Sequence, residues 1–201
     1  MNYRFRRAVI ALINGATPDP DGSLEALGPV GFANAMEAVR EDYPAPAYQA
    51  LMNLVDSHDT ARILWTLTPG EDNDTAKTQP DALAAGKARQ RLVAAIQLTF
   101  PGMASIYYGD EVGLTSPGGW YNEKWEDDPY NRLPYPWPDE SGTPFYSHLQ
   151  TGGAGHTELL PYYQSLTAAR HGHPALRTGS FETLLVDDAA NTYAYGRFLV
   201  D

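Results

Sequence analysis

Three residues suited to chemistry stand together in this sequence, at Ser57, His58 and Asp59. They follow an apolar stretch, Leu51 to Val55, which is typical of a short buried strand. In an α/β barrel the catalytic groups gather at the carboxyl ends of the strands, because the scaffold directs several of them at one opening. A buried strand that ends in Ser-His-Asp therefore indicates a strand that delivers functional side chains.

Two other interpretations of these residues are weaker. Consecutive residues on an extended segment point in different directions, so they cannot form a Ser-His-Asp relay, which is assembled from separated positions. His58 and Asp59 could contribute to a metal site, but such a site needs further ligands at suitable spacing. The remaining histidines are scattered along the chain, at His148, His156, His171 and His173. We therefore expect no metal site, and without further context a strand-end cap explains the pair equally well.

The charge balance of the 201-residue chain restricts its partners. There are 14 Lys and Arg residues against 25 Asp and Glu residues, which gives a net charge of −11. Nucleic acids and anionic membranes both need a positive protein face, so we exclude them as partners. An uncharged ligand rich in hydroxyl groups is compatible with this composition.

The sequence leaves the location of the protein open. The absence of cysteine excludes disulfides and thiolate metal ligands and gives no information on the redox compartment. No apolar stretch approaches the roughly 20 residues of a membrane span. Near the N-terminus, basic residues precede a short apolar run, Ala8 to Ile13, without a convincing small-residue cleavage site. We favour a helix within a larger fold over a signal peptide, so cytoplasmic and secreted locations both stay open, as does the oligomeric state.

The predicted elements include a parallel crossover unit. Helices are predicted over residues 4–13, 32–40, 60–67, 82–98 and 157–170, with Asp81 as the N-cap of the fourth. Strands are predicted over residues 51–55, 103–107, 180–186 and 192–199, the last two as an antiparallel hairpin. Strand, helix, strand between residues 51 and 107 is a parallel crossover. Two parallel strands cannot cover their own faces and edges, so we expect the chain to be part of a larger fold.

Several motifs carry a resemblance that spans nearly the whole chain. Residues 1–6, Asn53 to Thr60, Phe100 to Gly113 and Asp128 to Trp137 occur in the order and register of four signatures of one family. On these motifs the chain resembles the α-amylase family of glycoside hydrolases (family 13). Many members have Asn at the position of Ser57. Ser at this position is typical of the cyclomaltodextrinase, neopullulanase and amylopullulanase-like branch.

The resemblance implies an α/β fold, a partial (β/α)8 TIM barrel over residues 1–174. In this barrel the strands predicted at residues 51–55 and 103–107 correspond to strands 7 and 8, each with its helix. Residues 175–201 resemble the beginning of the all-β C-terminal domain of the family, a β-sandwich.

The resemblance also implies a retaining glycoside hydrolase whose partner is an α-glucan: maltooligosaccharides, cyclodextrins, pullulan or starch. Such enzymes use one carboxylate as nucleophile and another as general acid/base. In the family these two carboxylates lie on the fourth and fifth strands, which have no counterpart in this sequence, so we expect the chain alone to be inactive. The implied targets are α-1,4 glucosidic bonds, and α-1,6 bonds stay open.

Two alternatives remain within the resemblance. An α-glucan transglycosylase of the same family differs from a hydrolase only in how well water competes at the acceptor subsites. A non-catalytic barrel relative would bind carbohydrate or associate with a transporter. The presence of His58 and Asp59 argues against the non-catalytic alternative.

The resemblance assigns roles to the residues of the strand-end motif. Asp59 matches the third carboxylate of the family, which stabilises the cationic transition state through hydroxyl hydrogen bonds. His58 matches the histidine that donates to sugar hydroxyls in the substrate site. Arg62, three residues after Asp59, is expected to bind substrate or to keep Asp59 or an upstream carboxylate ionised, with a surface position as the alternative. No cofactor is expected.

A long irregular stretch, residues 112–155, is a second candidate for substrate contacts. Loops beyond roughly 12–15 residues are uncommon and are usually functional. Trp120 and Trp125 can stack on sugar rings, while Asn131 and Arg132 supply hydrogen-bond donors and an Arg–carboxylate contact. For the two tryptophans, packing of the loop onto the barrel is an equal alternative.

Other polar residues near these motifs receive a structural interpretation. Tyr107 and Tyr108 are expected to close the core at the end of the second strand. Asp110 and Glu111 could cap the turn that follows, so no catalytic role is assigned to them. The adjacent carboxylates Asp127-Asp128 could bind calcium in a full-length enzyme, but a solvated turn is the preferred interpretation and no calcium site is identifiable.

Overall fold

The chain divides into two compact units. The computed structural model describes residues 1–15, 24–71, 74–115, 120–121, 124–125, 130–137, 147–150 and 152–199. Unit 1 contains Met1–Val55, Val93–Ser105 and Leu166–Asp201, and unit 2 contains Asp56–Leu92 and Ile106–Ser165. Within the described ranges, no helix is both long and apolar enough to cross a membrane.

The predicted helices are confirmed, with shifted ends. The α-helices of the described ranges are α1 (Tyr3–Asn14), α2 (Pro29–Asp42), α3 (Ala45–Gln49), α4 (Ile63–Leu67), α5 (Asp74–Lys77), α6 (Pro80–Thr99), α7 (Leu160–Gly172) and α8 (Pro174–Thr178). The predicted N-cap at Asp81 is wrong, because Pro80 already occupies a helical position and Asp81 lies in the first turn. Proline suits this position since its fixed φ matches the helix and its missing N–H would be unpaired there anyway.

The two predicted parallel strands are confirmed but are shorter than expected. They are β1 (Met52–Asn53) and β2 (Met103–Ala104), which pair in parallel with Met52 opposite Met103. Each has a single neighbouring strand in the described part of the chain, so backbone pairing supports only a short ladder. A second pair, β3 (Trp120–Tyr121) and β4 (Lys124–Trp125), lies in the stretch predicted to be irregular.

The predicted C-terminal hairpin is confirmed. It consists of β5 (Ser180–Asp187) and β6 (Thr192–Phe198), paired antiparallel with Ser180 opposite Phe198. The turn between them includes Asn191 at a φ of 48°. Asn tolerates this left-handed conformation better than most residues, which explains its place in the turn.

In unit 1, Asn53 ties β1 to its neighbours. Its side chain accepts a hydrogen bond from Asn2 Nδ2 at 2.9 Å and donates one to the carbonyl of Pro101 at 2.7 Å. Asn2 also caps α1, because its side-chain oxygen accepts from the backbone N–H of Phe5 at 3.1 Å. Gly102 has a φ of +109°, and a Cβ there would lie 2.7 Å from Asn53 Nδ2, so only glycine fits.

An aromatic cluster forms the core of unit 1. Phe100 is buried and packs against Phe181 and Tyr195 of the hairpin, with ring centroids 4.7 Å and 5.3 Å away. It also contacts Phe5 of α1 at 5.8 Å and Phe32 of α2 at 6.0 Å. Aromatic rings bury large apolar areas, so these contacts hold the hairpin to the helices of unit 1.

Unit 2 has its own buried cluster, built on α4 and α6. Its members are Leu64, Leu83, Val112, Leu114 and Leu149. Three short 3-10 turns lie between α6 and α7 along the sequence, at Asp110–Val112, Tyr130–Arg132 and Ser147–Leu149. The imidazole of His148 is buried and donates from Nε2 to the carbonyl of Gly113 at 2.8 Å.

Candidate active site

The segment from Ser57 to Thr60 forms a tight polar turn in unit 2. The backbone N–H of Ser57 donates to Thr60 Oγ1 at 2.9 Å, and that of Asp59 donates to Ser57 Oγ at 3.1 Å. Ser57 and Thr60 are buried, whereas His58 and Asp59 are exposed. The two hydroxyl groups therefore satisfy the backbone of the turn and leave the imidazole and the carboxylate at its surface.

Asp59 is the residue on which the predicted site residues converge. His58 Nε2 lies 3.0 Å from Asp59 Oδ1, and Arg132 Nη2 lies 3.9 Å from the same oxygen. The side chains of His58, Asp59 and Arg132 are 47%, 55% and 46% exposed. Exposed ion pairs contribute little to stability, because water competes for both partners. The arrangement thus places an imidazole and a guanidinium beside one carboxylate that solvent or a ligand can reach.

Arg132 belongs to a segment that two tyrosines hold in place. Tyr107 Oη donates to the carbonyl of Asn131 at 3.1 Å, and Tyr108 Oη donates to that of Leu133 at 2.8 Å. Asn131 is fully buried, so its side chain does not share the exposed position of Arg132. Tyr108 is 39% exposed, and the expectation that both tyrosines close the core is therefore wrong for Tyr108. Their hydroxyl groups instead fix the backbone on both sides of Arg132.

Arg62 is buried, with 1% of its side chain exposed, so the surface alternative is wrong. Its guanidinium carbon lies 4.3 Å and 4.5 Å from the ring centroids of Tyr107 and Tyr108. Its Nη1 donates to the carbonyl of Tyr108 at 2.5 Å and lies 3.7 Å from Asp110 Oδ1. Aromatic faces and a carboxylate both stabilise a desolvated guanidinium. Contact of Arg62 with a substrate stays a prediction.

Two acids next to Arg62, Asp56 and Asp110, were not predicted as site residues from the sequence. Asp56 Oδ2 accepts from the backbone N–H of Ile63, the first residue of α4, at 2.8 Å. Asp110 is almost completely buried, and burial, followed by the neighbouring Asp56 carboxyl, raises the pKa of Asp110 well above its ordinary value. A topological signal could have found them, because both acids follow the ends of strands predicted to be parallel neighbours.

The side chains of two further predicted site residues, Trp120 and Trp125, lie outside the part of the chain that the structure describes. Trp120 stands opposite Trp125 in the antiparallel pair of β3 and β4. Their side chains are outside the described part of the chain, so stacking of these rings on sugars stays a prediction. Asp127-Asp128 also fall outside it. In the described ranges, no group of three or more His, Cys, Asp or Glu side chains could hold a metal ion.

An aromatic pair that sequence analysis did not select follows Arg132. The rings of Tyr135 and Trp137 have their centroids 4.5 Å apart. Tyr135 packs against the buried cluster of unit 2, while Trp137 is 60% exposed. A flat ring that is supported by a neighbouring ring and open to solvent can stack on the apolar face of a sugar. Spacing along the sequence did not indicate which tryptophan would be exposed.

Comparison with known proteins identifies the family. The catalytic domain of the alpha-amylase family matches residues 1–179. The chain therefore belongs to the α-amylase family, as its motifs predict. Membership implies a piece of a (β/α)8 barrel. The described residues contain helices and two-stranded sheets but no closed barrel.

Proteins similar to this chain are much longer than it is. Amylopullulanase of Thermoanaerobacterium thermosulfurigenes is 30% identical over 100% of the chain and 9% of its own length. Neopullulanase 2 of Thermoactinomyces vulgaris is 30% identical over 100% of the chain and 26% of its own length. The crystal structure of the debranching enzyme from Nostoc punctiforme matches with a TM-score of 0.70 and 26% identity, over 100% of the chain and 34% of that structure.

Proposed function

We propose that this chain supplies Asp59 and His58 to the active site of a retaining α-glucan glycoside hydrolase. Asp59 is the transition-state stabiliser, and His58 binds a hydroxyl group of the sugar. The convergence of His58 and Arg132 on one exposed oxygen of Asp59 carries this proposal. A carboxylate that has an imidazole and a guanidinium beside it and is open to a ligand suits hydrogen bonding to sugar hydroxyls.

The chemistry of glycoside hydrolysis explains why such a carboxylate is useful. The transition state resembles an oxocarbenium ion, so positive charge develops on the sugar ring. A carboxylate that is already oriented stabilises this charge without reorganising at the moment of reaction. Arg132 and the turn at Ser57 and Thr60 provide that orientation. The nucleophile and the general acid/base are assigned by the resemblance to strands without a counterpart in this sequence.

We further infer how the chain corresponds to the barrel. In this proposal β1 and β2 are strands 7 and 8 of the (β/α)8 barrel, residues 1–174 belong to the barrel, and residues 175–201 begin an all-β C-terminal domain. The parallel pairing of β1 with β2 across α6 supports the first point. The antiparallel hairpin of β5 and β6 supports the last.

The substrate class follows from the relatives. They are named amylopullulanase, cyclomaltodextrinase and neopullulanase, so we infer α-1,4 glucosidic bonds of maltooligosaccharides, cyclodextrins, pullulan or starch as targets, with α-1,6 bonds included. Arg132, Trp120, Trp125 and Trp137 are proposed to contact the sugar rings. For Arg62 and Asn131, burial favours a supporting position next to these contacts.

Binding of maltotriose to the 201-residue chain tests the proposal. The correlation of the His58 ring carbon and proton in NMR spectra should shift on titration with maltotriose. Asp59→Asn should weaken binding by at least about tenfold, because a charged hydrogen-bond acceptor is lost. Asp81→Asn, an exposed acid in α6, is the control and should leave the affinity unchanged.

The same sample tests the assignment of the reactive carboxyls. We expect no release of glucose or maltose from maltotriose by the chain alone. Turnover that is abolished by Asp59→Asn would show that the chain carries its own nucleophile. Absence of any shift at His58 at all accessible maltotriose concentrations would contradict the proposed sugar site.

A further inference from the structure

The strongest unassigned feature of unit 2 is the buried group formed by Asp56, Arg62 and Asp110. We propose that Asp56 and Asp110 hold one proton between them and, together with Arg62, act as positioning residues for the His58–Asp59 turn. This inference rests on the proposed sugar-binding function of that turn. None of the three side chains needs to contact the ligand, since each is at most 2% exposed.

The charges of the group balance only if one of its acids is protonated. Arg62 brings one positive charge, and its Nη1 lies 3.7 Å from Asp110 Oδ1. The carboxyls of Asp56 and Asp110 lie within hydrogen-bonding reach of each other. If both were ionised, two negative charges would face one guanidinium in a site without solvent, and such carboxylate pairs retain a proton. One retained proton brings the group to neutrality.

The hydrogen bonding of Asp110 is incomplete. Neither of its carboxyl oxygens has a hydrogen-bond donor among the described residues. A buried carboxylate without donors is costly, because it loses the water that would otherwise solvate it. A proton on either carboxyl supplies the missing donor, since the O–H of one acid can then donate to the oxygen of the other. The same proton thus neutralises the excess charge and satisfies the buried oxygens.

Hydrogen bonds connect the group to the proposed sugar-binding turn. Asp56 and Arg62 stand immediately before and shortly after the turn of Ser57 to Thr60. Asp56 Oδ2 accepts from the N–H of Ile63 at 2.8 Å, which closes the chain around the turn. Arg62 donates to the carbonyl of Tyr108, whose hydroxyl group donates to Leu133 next to Arg132. The group therefore fixes both segments that present side chains to Asp59.

The charged and titratable groups around Asp110 agree with a single retained proton. Besides Asp56 and Arg62, Glu111 and Tyr163 face its carboxyl. Glu111 adds negative charge, while burial and the Asp110 carboxyl keep the phenol of Tyr163 neutral by raising its pKa well above the ordinary value. The Tyr163 hydroxyl accepts from Gln90 Nε2 at 3.3 Å, and Gln90 also donates to the carbonyl of Asp110 at 2.7 Å. The positive charge of Arg62 lowers the pKa of this carboxyl, against the larger raising effects of burial and Asp56.

Carboxyl-carbon NMR on the intact wild-type chain tests the shared proton directly. The carboxyl resonances of Asp56 and Asp110 should titrate in two coupled steps, the second of them above the range of all exposed acids. Asp110→Asn should remove the second step and leave Asp56 with a single one. Ionisation of both carboxyls below about pH 5, as for ordinary acids, would overturn the proposal.

Amide hydrogen exchange at residues 57–60 tests the positioning role. In the wild-type chain these amides should exchange faster above the second titration step, because repulsion between the two carboxylates loosens the turn. In Asp110→Asn the exchange rates should show no such step. The side-chain amide of the introduced Asn can still donate a hydrogen bond to Asp56, but it carries no charge at any pH. Equal pH profiles for the wild-type chain and Asp110→Asn would overturn the positioning role, and Asp81→Asn controls for the loss of an exposed acid.

Maltotriose affinity between about pH 5 and about pH 9 connects the group to the ligand. We expect the wild-type affinity to fall about tenfold through the second step, the scale of one lost hydrogen bond to a charged group. The affinity of Asp110→Asn should change less over this pH range than the wild-type affinity. If the wild-type chain binds no maltotriose at any pH, the proposed function fails, while the carboxyl titration and the exchange profile still decide this inference.

Discussion

Arg62 Nη1 lies 3.7 Å from Asp110 Oδ1, and both side chains are only 1% exposed. The two residues differ in how their other atoms are satisfied. The guanidinium of Arg62 lies over two tyrosine rings and donates from Nη1 to the carbonyl of Tyr108, while its Nε and Nη2 have no hydrogen-bond partner among the described residues. Neither carboxyl oxygen of Asp110 has a hydrogen-bond donor in the described part of the chain. Removing the guanidinium and removing the carboxylate should therefore have opposite effects on stability.

Loss of the guanidinium should be strongly destabilising. We expect Arg62→Met to lower the free energy of unfolding by about 3–5 kcal/mol, because it leaves buried carboxyls without their cation. Urea denaturation of the chain at neutral pH measures this difference. Arg91→Met is the matched control, since Arg91 pairs with Glu158 at 3.0 Å on the surface, and it should cost at most about 0.5 kcal/mol.

A double variant separates the charge effect from lost packing. Asp110→Asn in the Arg62→Met background should recover part of the lost stability, because the uncompensated charge is then smaller. Contacting residues of this kind show coupling energies of about 0.5–3 kcal/mol. Strict additivity of the two substitutions would contradict a direct interaction of Arg62 with Asp110.

Loss of the carboxylate charge at Asp110 should change the pH dependence of stability. Burial and Asp56 raise the pKa of folded Asp110 above the value of about 4 in the unfolded chain. The folded chain thus binds a proton that the unfolded chain has released. Its stability is highest below the unfolded pKa and is lost as pH rises through the raised pKa.

Asp110→Asn should remove the loss of stability that the wild-type chain shows as pH rises. At neutral to alkaline pH we expect the variant to be more stable than the wild-type chain by about 1–3 kcal/mol, the cost of an unsatisfied buried polar group. Urea denaturation between about pH 4 and about pH 9 measures the effect. The interpretation is wrong if the wild-type chain and Asp110→Asn lose stability in parallel as pH rises. Asp81→Asn, which removes an exposed acid, is the control.

Much of the fold could be predicted because the signals are local. The apolar runs at residues 51–55 and 103–107 predict two buried strands, and the helical pattern between them predicts α6 and therefore a parallel crossover. The hairpin follows from two alternating runs around an acidic turn. The ends of strands are harder to predict, because they depend on which neighbours pair with them rather than on the strand itself.

The supporting residues of the candidate site could not be predicted from local patterns. Arginine is mostly exposed in proteins, so burial of Arg62 contradicts the usual expectation. It is possible here because Tyr107 and Tyr108, about 45 positions later, enclose the guanidinium. The environment of Asp110 was unpredictable for the same reason, because the lack of hydrogen-bond donors around its carboxyl depends on the packing of distant segments. The motif predicted the chemistry of Asp59 but not the residues that orient its carboxylate.

His148 should make unit 2 sensitive to acid. Burial is the main cause that lowers the pKa of its imidazole, and the nearby Lys87 and His156 lower it further. The unfolded chain therefore binds a proton more readily than the folded chain. Stability is fully present above the unfolded pKa of about 6.5 and is lost as pH falls towards the lowered pKa, by at most about 1.4 kcal/mol per pH unit.

His148→Gln should remove this acid sensitivity. A glutamine amide can still donate to the carbonyl of Gly113, which His148 Nε2 reaches at 2.8 Å, but it does not titrate. The control is His171→Gln, because His171 is exposed on α7. Thermal unfolding between about pH 5 and about pH 7 compares the three proteins. An unchanged slope in His148→Gln would assign the acid sensitivity to other groups.

Arg132 should contribute to sugar binding through Asp59 rather than to stability. Its Nη2 lies 3.9 Å from Asp59 Oδ1, and both side chains are about half exposed, so the pair adds little to the free energy of unfolding. We expect Arg132→Ala to weaken maltotriose binding by about tenfold, because Asp59 loses a positive charge about 4 Å away, a separation at which charge pairs near a protein surface interact by about 1–4 kcal/mol. Calorimetric titration measures the affinity, and urea denaturation should show a change of at most about 0.5 kcal/mol. Arg91→Ala removes a comparable surface arginine from its ion pair with Glu158 and should leave binding intact. Equal affinities for Arg132→Ala and Arg91→Ala would mean that Arg132 does not orient the carboxylate of Asp59 for the ligand.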